Sequence, residues 1–246
     1  MSAAAPEPGA DLAGRVIAVA GAAGGLGPSV VGRLLGSGAI VAATDVSQER
    51  LDSLRDDLGA AADRYDAKPV DLLDEDAART WANELAERHG RVDGLIHLVG
   101  GWRGGQPLAE ASLDDYAWLH DLLVRTVQHA TRAFRDPLAA SDAGRFVVVS
   151  SAQAQAPSGT NAAYAAAKAA AEAWTLALAD DFREAGTSAT ANIVVVNAIV
   201  TPQMRADNPE KAYRTFTAAE DIADAIAYLC SDAAAKMNGK RLQLHP

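Results

Sequence analysis

Short, nearly continuous apolar runs alternate along the chain with longer segments in which apolar residues recur every three to four positions. Seven runs predict strands, at 16–20 (VIAVA), 39–44 (AIVAAT), 68–71, 94–99 (GLIHLV), 146–150 (FVVVS), 193–199 (IVVVNAI) and 241–244, with six helical segments between them. Runs that are apolar throughout belong to strands covered on both faces. The pattern therefore predicts one doubly wound α/β domain over residues 11–246, a seven-stranded parallel sheet flanked by helices. Right-handed crossovers in such a sheet align the C-terminal strand ends as a ligand crevice. Residues 1–10 (MSAAAPEPGA) have neither a basic start nor an apolar stretch, and are expected to form a flexible extension rather than a secretory signal.

Chemistry-bearing residues fall at that predicted edge. After the first strand, Gly21-Ala22-Ala23-Gly24-Gly25-Leu26-Gly27 leads through Pro28 into a helix with an apolar face of Val30, Val31, Leu34 and Leu35. Glycines there let the backbone approach a pyrophosphate, and the helix start supplies free amides and partial positive charge. The alternative is a tight turn without a ligand. Asp45, eighteen residues after Gly27 at the end of the second strand, is placed to accept hydrogen bonds from an adenosine ribose and to repel a 2′-phosphate. Neither the glycine loop nor Val46 supplies a cation for such a phosphate, so a Rossmann-type domain preferring NAD(H) over NADP(H) is expected; otherwise Asp45 is a turn former.

Ser151, Tyr164 thirteen residues on, and Lys168 four further form the second group. Tyrosine and lysine at i and i+4 of an Ala-rich helix share one face, so an ammonium beneath the phenol lowers its pKa towards the range useful for general acid/base work. Ser151 then holds a substrate oxygen. Tyr-x-x-x-Lys is also common in helices without catalytic meaning.

Composition narrows the classes. The 246 residues are 49% hydrophobic with a net charge of -10, which excludes a disordered chain and disfavours nucleic acid and anionic membranes as partners. No apolar run reaches the length of a membrane span. Cys230 is the single cysteine, so no intrachain disulfide is possible and a cytoplasmic location is the default. The five histidines lack ligand spacing, so no metal is expected.

With Gly21, Gly25, Gly27, Asp45, Ser151, Tyr164 and Lys168 in place, the chain resembles the short-chain dehydrogenase/reductase family over nearly its whole length. The resemblance implies that Gly21, Gly25, Leu26 and Gly27 bind the cofactor and that Asp71 and Leu72 hold its adenine. Gly100 matches the end of the family's Asn-Asn-Ala-Gly stretch, and Thr201 the threonine near the carboxamide. It implies further that Tyr164 is the general acid/base, that Lys168 lowers its pKa and binds the nicotinamide ribose, and that Ser151 polarises the substrate carbonyl. A homodimer or homotetramer is implied too, through 130–139 and the small-residue face after Tyr164.

The chain departs from that pattern at three places. His97-Leu98-Val99-Gly100 replaces Asn-Asn-Ala-Gly, leaving His97 as a packed core residue or a cofactor neighbour. Leu123 stands where the family has an asparagine on its fourth helix, with Arg125 as a nearby polar group. The exit of the sixth strand runs straight into Thr201-Pro202. Gly100-Gly101-Trp102-Arg103-Gly104-Gly105 is similar to a loop of dihydropteridine reductases. Trp102 would then stack on a flat heterocycle and Arg103 meet an anionic group, or Trp102 packs under a loop. Residues 201–217 are expected to form a substrate lid, with Met204, Tyr213 and Phe216 lining the pocket or anchoring the loop.

The leading expectation is hydride transfer between NAD(H) and a small carbonyl or alcohol substrate. Reduction of a quinonoid dihydropteridine, and a non-catalytic NAD-binding sensor or scaffold, are the alternatives.

Overall fold

The computed structural model describes residues 11–245, so the expected N-terminal extension lies outside the described residues. Seven strands, β1 (Val16–Ala20), β2 (Ile40–Asp45), β3 (Tyr65–Pro69), β4 (Gly94–His97), β5 (Arg145–Ser151), β6 (Thr190–Val196) and β9 (Arg241–Gln243), form one sheet in the order β3-β2-β1-β4-β5-β6-β9. Every pairing in it is parallel. Central strands β1 and β5 are buried at every residue, as their unbroken apolar runs require.

Helices cover both faces. On one side α1 (Gly27–Gly36), α2 (Gln48–Asp57) and α8 (Ala219–Cys230) pack Val30, Leu34, Leu51, Ile222 and Ile226 against Ile17, Val19, Val147 and Val194. On the other, α3 (Glu75–His89), α5 (Thr126–Ala140) and α6 (Ala162–Glu184) pack Trp81, Phe134 and Phe182 against Leu95, Phe146 and Ile193. Trp81 and Phe134 meet edge to face at 4.9 Å between ring centres, fixing α3 against α5. Capping side chains start several helices: Asp74 accepts from the amides of Asp76 and Ala77 ahead of α3.

Four expectations are corrected in detail. The third strand is Tyr65–Pro69, not 68–71, because it pairs with β2 from Tyr65 and ends at Pro69; Asp71 lies in the turn beyond. The sixth strand stops at Val196, and its expected end, β7 (Ile199–Val200), pairs instead with β8 (Thr217–Ala218). The segment 201–217 opens with a helix, α7 (Pro202–Asp207), which Thr201 caps through the Met204 amide at 3.2 Å. Ala130, expected on an exposed small-residue face, is fully buried; the exposed small residues lie on α6, at Ala166, Ala173 and Ala177.

One connection is irregular. α4 (Leu113–His120) runs into α5 through a turn of π-helix at Asp121–Arg125. Thr126 Oγ1 donates to the Leu122 carbonyl there at 2.7 Å. Such bulges insert a residue into a helix and re-aim the carbonyls around it.

Candidate active site

A cleft of about 1140 Å³ opens at the C-terminal strand ends. It brings together the glycine loop, Asp45, Asp71, Leu72, Gly100, Trp102, Tyr164, Lys168, Thr201, Met204 and Phe216. The crevice is where a doubly wound sheet reverses its strand order, between β1 and β4.

The glycine loop is shaped for close approach. Amides of Gly21 and Ala22 both donate to the Thr44 carbonyl, tying the loop to β2. Gly21 sits at φ +78°, where a Cβ would lie 2.8 Å from the Val99 nitrogen, and at Gly27 a Cβ would stand 1.9 Å from the Ala22 carbonyl oxygen. Those two glycines are demanded by the fold. Gly25 differs, since a Cβ there meets only a Thr201 methyl at 3.8 Å and otherwise faces the cleft. No side chain caps α1, so its first amides stay available to an anion. These features fit a dinucleotide pyrophosphate.

At the end of β2, Asp45 Oδ1 accepts from the Val46 amide at 2.9 Å. Arg50, which the sequence reading passed over, also lines the cleft, with Nη1 3.7 Å from Asp45 Oδ1 and Nη2 bonded to the Ala23 carbonyl. A cation thus stands beside the acidic residue after all. The signal for it was position, five residues after Asp45 in the first turn of α2. Asp71 Oδ1 accepts from the Leu73 amide, shaping the turn whose Val70, Leu72 and Leu73 wall the same end of the cleft.

At the other end, Tyr164 and Lys168 share a face of α6, with Nζ 5.9 Å from the phenol ring centre. Lys168 Nζ donates to the Val149 carbonyl at 2.9 Å. Burial pushes the lysine down to about 8, with Glu172 pulling the other way. Glu172 is itself buried and paired with Arg241 of β9 at 2.5 Å. Burial also raises Tyr164 above its ordinary value, and the neighbouring Ser151 hydroxyl offsets part of this. The expected lowering of the phenol by Lys168 is therefore corrected: the ammonium is directed at the Val149 carbonyl, and desolvation dominates. Ser151 is only 2% exposed and does not itself line the cleft, whereas Ser150, Gln153 and Tyr164 do; its Oγ accepts from the Gln153 amide at 3.2 Å.

The structure separates the residues expected on the substrate side. Trp102 is 56% exposed at the cleft wall rather than packed under a loop. The 100–105 loop is held by the Gly105 amide on the Thr160 carbonyl, and a Cβ at Gly101 would strike Trp118 at 2.7 Å. Arg103 lies outside the cleft, bonded to Asp115 at 2.9 Å and stacked 4.0 Å over Trp118. Tyr213 is buried behind Phe216, ring centres 5.2 Å apart, and its hydroxyl donates to the Met204 carbonyl at 2.7 Å. Its φ of 43° is unusual outside glycine, so these contacts hold a strained turn that positions α7. Leu123 is buried, and Arg125 is exposed on Asp121 at 3.3 Å, so neither supplies a polar group to the cleft.

A glycine loop, an acidic strand end and a tyrosine–lysine pair on one crevice define an oxidoreductase of the doubly wound class. The chain belongs to the short chain dehydrogenase family, whose model matches residues 15–213. It is 30% identical to 2,3-dihydroxy-2,3-dihydro-p-cumate dehydrogenase of Pseudomonas putida, covering 95% of this chain and 94% of that protein. To 3beta-hydroxysteroid dehydrogenase 2 of Eggerthella lenta it is 27% identical, covering 95% and 94%. Among solved structures, a short-chain dehydrogenase/reductase from Brucella melitensis described as a glucose/ribitol dehydrogenase superimposes with a TM-score of 0.79 at 27% identity, covering 96% of each chain. No helix among the described residues is long and apolar enough to cross a membrane.

Proposed function

We propose that this protein is an NAD(H)-dependent oxidoreductase acting on a small carbonyl or alcohol substrate. The observation that carries the reading is the convergence of Tyr164 and Lys168 with the glycine loop and Asp45 on one cleft. When bound, the nicotinamide supplies or accepts the hydride. The chain's own residues do the rest. Gly21, Gly25, Leu26, Gly27 and the start of α1 receive the pyrophosphate, Asp45 the adenosine ribose, and Asp71 and Leu72 the adenine end. Tyr164 delivers a proton to the substrate oxygen in reduction and removes it in oxidation, Lys168 supports the phenol with its charge, and Ser151 steadies the oxygen from behind. Leu122, Met204 and Phe216 exclude water from the reacting end.

The relatives named for a dihydrodiol and a hydroxysteroid support a hydroxyl-bearing ring as the substrate class. Asp45 supports NAD(H) over NADP(H), with Arg50 as a counterweight. A quinonoid dihydropteridine is the second reading, favoured by the exposed indole of Trp102 on the cleft wall; Arg103, turned to Asp115, gives it no help. A homodimer or homotetramer is supported by Trp174 and Leu176 exposed on α6, and sedimentation equilibrium checks it. Nothing in the charge balance favours a nucleic acid or membrane partner, and the single cysteine supports a cytoplasmic setting.

The testing experiment follows nicotinamide absorbance with NADH or NADPH against cyclic ketones, their alcohols with NAD, and a quinonoid dihydropterin. Turnover lost in Tyr164→Phe supports the reading. Tight NADH binding with no turnover on any substrate would favour the non-catalytic sensor instead.

A further inference from the structure

Three buried side-chain atoms at the C-terminal ends of β4 and β5 have no hydrogen-bond partner: Nδ1 and Nε2 of His97 and Oγ of Ser150. They are close neighbours in the fold. His97 pairs with Val148 across the two strands, and Ser150 follows two residues on with its side chain on the same face of the sheet. That face is the one α6 covers, and α6 brings Lys168 to the same place, with Nζ on the Val149 carbonyl between Val148 and Ser150. The main chain of Thr126, just past the π-turn, runs alongside the imidazole without completing a hydrogen bond to either ring nitrogen.

An imidazole that merely filled space here would leave two polar atoms unsatisfied, and an apolar side chain would serve better. Lys168 has the complementary need. Its ammonium carries three donors, and the Val149 carbonyl accepts one of them. Burial and the Lys168 charge both hold His97 down, to about 3, so the ring is neutral at working pH and offers one acceptor and one donor. Lys168 is the charged group that acts on the ring. Of the other titratable groups on the elements packed here, Tyr164 and Glu172 lie on α6, Glu172 paired with Arg241 of β9, and His129 on α5 is turned to the Leu72 carbonyl at 2.9 Å.

We propose that His97 is a positioning residue for Lys168: the imidazole and the Ser150 hydroxyl complete, directly or through one ordered water, the acceptor set of the ammonium that supports Tyr164. This rests on the reading that Tyr164 and Lys168 are the reacting pair. His97 touches neither substrate nor cofactor. It fixes where the lysine charge sits and so how strongly the phenol responds to it.

The test has two arms. The first records imidazole nitrogen resonances of His97 in the full-length protein between about pH 5 and 9, with and without Lys168→Met. The expected result is one neutral tautomer throughout, with the acceptor nitrogen moving towards its unbonded position when Lys168 is replaced. The second measures steady-state kinetics of His97→Leu and His97→Asn. His97→Leu is expected to lower kcat about tenfold with KM little changed, and to shift the pH–rate profile; His97→Asn, which keeps a donor and an acceptor, recovers most of it. An imidazole spectrum indifferent to Lys168→Met overturns the proposal, as does a His97→Leu enzyme with the wild-type pH profile. If His97→Leu fails to fold, the spectral arm decides. If the wild type turns over no substrate, the reading of the site fails, while the spectral arm still judges the His97–Lys168 contact.

Discussion

Lys168 Nζ lies 5.9 Å from the centre of the Tyr164 ring, one helical turn away on α6, and spends a hydrogen bond on the Val149 carbonyl. This arrangement keeps the charge one helical turn from the phenol while anchoring it to the sheet. Under the proposed function, carbonyl reduction needs a protonated Tyr164, which its raised pKa supplies throughout neutral pH. It also needs a charged Lys168, whose pKa is lowered to about 8. The expected kcat/KM for reduction is flat below that value and falls as pH rises through it. Tyr164→Phe is expected to lower kcat by about a hundredfold or more while NADH binding by calorimetry persists. The same lysine shift has a stability sign: the unfolded chain binds more protons between about pH 8 and the ordinary lysine value of 10.5, so this group makes the native state more stable as pH rises through that window.

The glycine loop separates folding from binding. Gly27→Ala forces a Cβ to within 1.9 Å of the Ala22 carbonyl oxygen, which is backbone and cannot step aside cheaply. A loss of about 1–3 kcal/mol in urea unfolding is expected, as for other overpacked sites. Gly25→Ala meets only a methyl at 3.8 Å on the cleft side. Its unfolding midpoint stays near wild type while its affinity for NADH drops, since the new methyl occupies the approach to the pyrophosphate. Equal stability losses in both variants would contradict this division.

How far the sequence foretold these features depended on whether the signal was local. The seven-stranded sheet followed from apolar runs, because burial on both faces leaves a direct trace in each strand. The tyrosine–lysine pair and glycine loop followed from spacing within single elements. What spacing within one element could not convey was the company each side chain keeps in the fold. Arg50 reaches Asp45 only because α2 starts directly beyond β2. Arg103 turns to Asp115 because a residue twelve positions on lies across the loop. The pKa of Tyr164 depended on how deeply α6 is buried, and its predicted direction was reversed for that reason.

Acid should expose His97 through stability. Its folded pKa is lowered from 6.5 to about 3 by burial and the Lys168 charge. Between those values the unfolded chain binds a proton that the native state refuses, so stability falls as pH drops through this window, by up to about 1.4 kcal/mol per pH unit. His97→Asn removes that proton. Its unfolding free energy is expected to decline less steeply than wild type from about pH 6 to 4, as measured by chemical denaturation at fixed pH. Parallel slopes would mean that His97 titrates normally in the native protein.

Cofactor choice turns on a single pair. Asp45 accepts from the Val46 amide and faces Arg50 across 3.7 Å, so the corner proposed to meet the adenosine ribose holds one carboxylate and one guanidinium, 53% exposed. A 2′-phosphate entering there would be repelled by the carboxylate and attracted by the cation. The carboxylate is fixed by the backbone, whereas the arginine is more exposed and longer, so under the proposed function repulsion is expected to outweigh attraction and to favour NAD(H). Asp45→Ala removes the repulsion and leaves Arg50 free to meet the phosphate. The ratio of kcat/KM for NADPH over NADH is expected to rise about tenfold or more, a modest share of the Coulomb energy of two charges this close near a surface. Adding Arg50→Ala to that variant should cancel most of the gain, because the phosphate then has no fixed partner. Raising salt should erode the gain in the single variant, since exposed charge pairs are screened. If Asp45→Ala leaves the ratio unchanged, discrimination lies elsewhere along the adenine wall formed by Asp71, Leu72 and Leu73.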